Sequence, residues 1–114
     1  VDKEQIVFTI ILHAGNARSY CFEALALARE GKHTQASARL GKATQELKKA
    51  HSMQFDLLQA EANGEKQEMS LLLIHAQDHL MNASLAKDLI KELISMVREK
   101  QLSSVGMNNV EQGE

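Results

Sequence analysis

LLLIHAQDHLMNASLAKDLIKEL, residues 71–93, is the stretch on which the fold turns. At about 100° per residue, Leu72, Ala76, Ala83, Ala86, Leu89, Ile90 and Leu93 form the apolar stripe of an amphipathic helix. His75 points along the middle of that stripe. His79 and Asn82 lie close beside it, and Asp78 lies at its margin. Ionisable groups on a core face are costly unless paired, ligated or neutral. Such a cluster marks the place where function is expected. The segment carries a second signal. Leu71, Leu72, Leu73 and Ile74 are consecutive, and Leu80 and Met81 follow, so the helix is apolar nearly all round. Three packed helices cannot bury the outer side of any member. The second apolar face therefore predicts self-association around this helix.

Working outward, the rest of the chain also reads as helix. Ala, Leu, Glu, Lys and Gln, all strong helix formers, dominate. There is no proline among the 114 residues, and aromatics are only 4%, so hard breakers and β-formers are both scarce. The fold class is all-α. The first helix spans about 3–30. Asp2 and Gln5 make a capping box at its start, and Gly31 stops it. Val7, Phe8, Ile11, Ala14, Phe22, Leu25 and Ala26 give it helical periodicity. Gly15 sits in its interior, where close backbone packing is expected. Arg18 lies on its apolar stripe, either as a snorkelling surface side chain or as one half of an ion pair.

The second helix spans about 35–62, with Thr34 as N-cap and Gly64 in the joint after it. Its seam is Ala36, Leu40, Ala43, Leu47, Ala50, Gln54, Leu57 and Glu61, the three-and-four spacing of a bundle. The third helix spans about 68–102. Short joints make antiparallel neighbours, so residues 1–102 predict one domain, an up-down-up three-helix bundle assembling as an oligomer. Residues 103–114, SSVGMNNVEQGE, lose periodicity and are expected to be a disordered polar tail.

Composition narrows the function. A net charge of −2 gives no nucleic-acid surface. No apolar run approaches the ~20 residues of a transmembrane helix, and VDKEQIVF lacks the pattern of a signal peptide. The single cysteine, Cys21, fits a cytoplasmic protein and reads as a small core residue.

His75, Asp78 and His79 fall at i, i+3 and i+4, on one side of a helix. That spacing serves three chemistries: a transition-metal site with two imidazoles and a carboxylate, a histidine nucleophile or base oriented by its neighbour, or a histidine that carries a transferred group while Asp78 does a separate structural task. A pair of hydrogen-bonded core histidines, in a helical interaction module without chemistry, is the bland alternative. Spacing alone does not choose.

A resemblance does. Residues 70–94, SLLLIHAQDHLMNASLAKDLIKELI, look like the signature of the enzyme IIA component of the lactose/cellobiose branch of the bacterial phosphotransferase system. Residues 7–31, VFTIILHAGNARSYCFEALALAREG, and 46–66, ELKKAHSMQFDLLQAEANGEK, resemble that family's first helix, and its second helix with the following joint. The match covers about Glu4 to Glu99. Asn82 stands where the family usually has Thr, and the polar tail is longer. The resemblance implies a trimer with His75 as phosphoryl carrier. The donor is then the histidine-containing phosphocarrier protein and the acceptor a cysteine of the cognate enzyme IIB. It implies that Asp78 lies near the threefold axis, where three copies hold one metal ion; Mg²⁺ suits oxygen ligands. His79 is expected to orient His75 or contact the phosphoryl oxygens, and Gln54 to hydrogen-bond His75. The expected sugar is cellobiose or a related β-glucoside.

Overall fold

Two glycines set the length of the first two helices. The computed structural model describes residues 3–112, with side chains through Ser104. It contains α1 (Lys3–Arg29), α2 (His33–Ala62) and α3 (Leu71–Gln112), and no strand among the described residues. At Gly31 φ is 80° and at Gly64 it is 94°. Both close the same kind of turn. Gly31 N–H donates to Ala28 O and Lys32 N–H to Leu27 O; Gly64 N–H donates to Glu61 O and Glu65 N–H to Ala60 O. These are the paired bonds of a Schellman motif, which satisfies carbonyls that the helix end would orphan.

Three boundaries differ from expectation. α2 begins at His33 rather than after Thr34, with Lys32 at the cap position and no side-chain capping bond. The Schellman turn uses up the joint and leaves no room for a polar cap. α3 begins at Leu71 rather than near Glu68, because Ser70 caps it: Leu73 N–H donates to Ser70 Oγ at 3.0 Å. α3 also continues to Gln112, through the segment expected to be a disordered tail. Ser, Asn and a lone Gly lower helix propensity without blocking it, and extending an existing helix needs no new nucleus. Asp2, expected to cap α1, lies outside the described residues, as do Gly113 and Glu114.

The core is built on α1, which packs more extensively on α2 and on α3 than those two pack on each other. Its buried face is Val7, Ile10, Ala14, Ala17, Cys21, Ala24 and Ala28. Small residues meet it, with Ala36, Ala43 and Ala50 from α2 and Ala76 and Ala83 from α3. Leu47, Leu57, Leu80 and Ile90 fill the remaining space. Ile10 and Leu80 are fully buried, each contributing about 1.5–3 kcal/mol of transfer free energy.

Polar ties pin the register. His13 pairs with Glu46, His51 with Ser84 and His33 with Gln101. Gln101 also donates to Ala28 O at 2.9 Å, so an α3 side chain caps the end of α1. The residues of α3 beyond Gln101 therefore run past that end. Among the described residues, no helix is long and apolar enough to cross a membrane.

The two kinds of helix glycine make a paired test. Gly31→Ala should lower stability by about 1–2 kcal/mol, because alanine pays for left-handed φ. Gly41→Ala, mid-helix with nothing within 4 Å of an added Cβ, should raise stability by about 0.5–1 kcal/mol. Urea unfolding followed by circular dichroism at fixed protein concentration checks both signs.

Candidate functional site

The histidine cluster lies elsewhere on α3 than the apolar stripe suggested. Among the described residues, Ala76, Leu80, Ala83 and Ile90 are the buried ones of α3, and no polar or charged side chain is buried. His75, Asp78 and Asn82 are exposed, while His79 is half-buried. The expectation that His75 points into the core stripe is thus corrected. The cause is the all-round apolar character of the helix: several stripes satisfy the same period, and sequence periodicity does not choose among them.

Within the cluster the rings of His75 and His79 stack, with centroids 5.2 Å apart and planes at 25°. One helical turn separates the two residues, which brings i and i+4 side chains together. Behind the pair is α1. A Cβ on Gly15 would sit 3.8 Å from His79 Nε2, so the ring edge faces α1 at this glycine, at the distance of an ordinary contact with a methyl group. Asn82 Nδ2 donates to Asp78 Oδ2 at 3.4 Å, one turn along.

The other three histidines are engaged. His13, His33 and His51 each bond a side chain on another helix. At His33 the proton is assignable. Gln101 uses its amide nitrogen on the α1 carbonyls, so its oxygen faces His33 and Nε2–H donates to it at 2.6 Å. His75 differs. Among the described residues it has no hydrogen bond or ion pair, and its ring stacks on that of His79. An exposed imidazole without a hydrogen-bond partner leaves its ring nitrogens open to a reaction partner.

Gln54 does not take the expected role within the chain. Its amide donates to Gln77 Oε1. Gln77 is two residues past His75, about 200° around the helix and on its α2 side. The guanidinium of Arg18 lies 5.8 Å from the Phe22 ring centroid, a surface stacking contact of the snorkelling kind. Cys21 is buried in the core, as expected. Burial pushes its thiol above the ordinary 9.0, and the charge of Lys87 opposes this with a smaller effect.

The cluster gives little support to a metal held within one chain. Stacked rings do not converge two nitrogens on one point, as shared ligation needs. Among the described residues, no group of three or more His, Cys, Asp or Glu side chains is placed to hold a metal ion. Asp78 offers one carboxylate per chain.

Comparison with known proteins settles the family. The model of the family described as "PTS system, Lactose/Cellobiose specific IIA subunit" matches residues 5–98. The chain belongs to this family. Among similar IIA proteins is the lichenan-specific phosphotransferase enzyme IIA component of Bacillus subtilis (strain 168), 53% identical over 95 residues, 83% of this chain and 86% of that one. The crystal structure of a cellobiose-specific enzyme IIA from Bacillus anthracis superposes with a TM-score of 0.87 at 47% identity, covering 90% of this chain and 94% of that one. A IIA(Chitobiose)–HPr complex of Escherichia coli, solved in solution, contains a chain matching with a TM-score of 0.78 at 36% identity, over 89% of this chain and 98% of that one. This IIA protein is therefore a sugar-specific component of a phosphotransferase system.

Cys21 provides a check on the core reading. Its folded pKa is raised, so the folded state holds its proton longer than the unfolded state does. That stabilisation is complete below about pH 9 and is lost as pH rises through the folded value. Wild type should therefore lose more stability than Cys21→Ala between neutral pH and about pH 10.5, measured by denaturant midpoints. Equal slopes would contradict the burial effect.

Proposed function

We propose that His75 is the phosphoryl carrier. HPr is the donor and a cysteine of the cognate enzyme IIB the acceptor. The observation that carries this reading is the state of His75: exposed on the outer side of α3, stacked on His79, and free of the cross-helix bonds that hold His13, His33 and His51. The similarity to the IIA chain of the IIA(Chitobiose)–HPr complex supports the donor.

The chemistry follows from the side chain. A ring nitrogen of neutral His75 attacks the phosphorus of the phosphorylated donor. An N–P bond forms as the donor's N–P bond breaks, and the electron pair of the broken bond stays on the donor ring. One proton passes through solvent from the accepting imidazole to the leaving one. In the second transfer a thiolate forms an S–P bond, and His75 recovers its electron pair and a proton. Such transfers depend on in-line positioning, and the stack on His79 supplies it. Cytoplasmic partners on both sides suit a cytoplasmic protein. The sugar we infer is cellobiose or a related β-glucoside, in keeping with the lichenan- and cellobiose-specific names of the relatives.

We also propose the up-down-up course and the trimer. Positions 33, 51 and 54 of α2 partner positions 101, 84 and 77 of α3, and His13 and Glu23 of α1 partner Glu46 and Arg39 of α2, which supports reversal at each joint. The outer side of α3 supports the trimer. Leu71, Ile74, Asp78, Asn82, Leu85, Leu89, Leu93 and Met96 recur at intervals of three and four, and the apolar ones are 43–83% exposed in the single chain. A seam with that period buries against copies of itself. Three copies of Asp78 on an axis would need a cation or protons, and carboxylates suit a hard ion such as Mg²⁺.

Two experiments test this reading. Incubation with phosphoenolpyruvate, enzyme I and HPr should add one acid-labile phosphate per chain, lost in His75→Gln and retained in His79→Gln at long reaction times. Phosphate mapped to His13, His33 or His51 would end the proposal. Light scattering should give three times the mass of one chain at micromolar concentration. Asp78→Leu should keep or tighten that assembly and still accept phosphate. A monomer, or an assembled Asp78→Leu protein unable to accept phosphate, would refute these assignments.

A further inference from the structure

We infer that Gly15 is a positioning residue for phosphoryl transfer. Smallness at this position leaves the His79 ring its seat, and His79, held there, fixes His75 in its accepting orientation. The inference rests on the reading of His75 as the phosphoryl carrier.

A glycine inside a helix destabilises it relative to alanine, so its presence calls for a local reason. Of the glycines within helices, Gly15 and Gly41 have described surroundings. At Gly41 an added Cβ meets nothing within 4 Å, whereas at Gly15 it meets His79 Nε2 at 3.8 Å. Only one of the two therefore faces a functional side chain. At 3.8 Å a methyl group is in ordinary van der Waals contact, so alanine fits. Valine adds two γ-carbons on a Cβ whose rotamer the helix restricts, bringing bulk beyond a methyl group to the side where the ring lies.

The coupling to His75 is geometric. His75 is exposed, and its described ring contact is the stack on His79. His79 is half-buried between that stack and the α1 backbone at Gly15. If its seat is filled, His79 must rotate, and the restraint on His75 goes with it. A misplacement on the ångström scale costs transfer chemistry up to about 10²-fold.

A double-mutant cycle on the full-length protein tests this, with phosphorylated HPr as donor and the initial rate of phosphate uptake as readout. Peptide mapping of the wild type comes first; phosphate on a residue other than His75 overturns the functional reading and the role of Gly15 with it. With phosphate on His75, Gly15→Ala should stay within about twofold of wild type and Gly15→Val should slow uptake about tenfold. His79→Ala should also be slow, and Gly15→Val in the His79→Ala background should cost nothing further, because both changes remove the same restraint. Additive losses, or a folded Gly15→Val protein with the wild-type rate, overturn the inference. Gly15→Ala supplies a second readout should Gly15→Val not fold. The ring-proton resonances of His79, and of His75 stacked on it, should shift when the new methyl group meets Nε2. Unchanged resonances overturn the seat.

Discussion

Close approach of helix backbones along the alanine face of α1 is the constraint on which the rest depends. Ala14, Ala17, Ala24 and Ala28, with Cys21 between them, present almost no side-chain bulk, and Ala36, Ala43, Ala50, Ala76 and Ala83 meet them from the neighbours. Small residues at a crossing shorten the distance between helix axes. Two helices can then pack against one side of α1, and the same closeness brings a ring from α3 to face Gly15. A bulkier core would spread the helices and open that contact.

This packing also decides what α3 has left over. Its small side is spent inside the bundle on Ala76 and Ala83, with Leu80 and Ile90 beside them. Its large apolar residues, Leu71, Ile74, Leu85, Leu89, Leu93 and Met96, stay outside. A single chain of this size tolerates only a few hundred Å² of such surface in one patch. His75 borders this seam, about 60° around the helix from Asp78. In the proposed trimer that position is the edge of an interface, where a side chain is held by its surroundings and still open to a partner. A phosphoryl carrier needs that combination, since it must meet a donor and an acceptor in turn.

The sequence by itself determined the helical class, the number of helices and two of their ends, because those are local matters. Absence of proline, strong helix formers and glycine at positions that need positive φ act within a few residues of chain. It also brought His75, Asp78 and His79 to one side of α3, since i, i+3 and i+4 spacing needs no knowledge of the neighbours. The surplus of apolar residues at Leu71–Ile74 was legible for the same reason. What only the tertiary structure decided was which stripe of α3 faces inward, because a helix apolar on all sides offers more than one solution with the same period. The partners of Gln54, Gln101 and the other histidines, and the seat of His79 on Gly15, were likewise beyond reach. They join residues far apart in sequence, through the relative rotation and approach of packed helices, and no local pattern encodes that geometry.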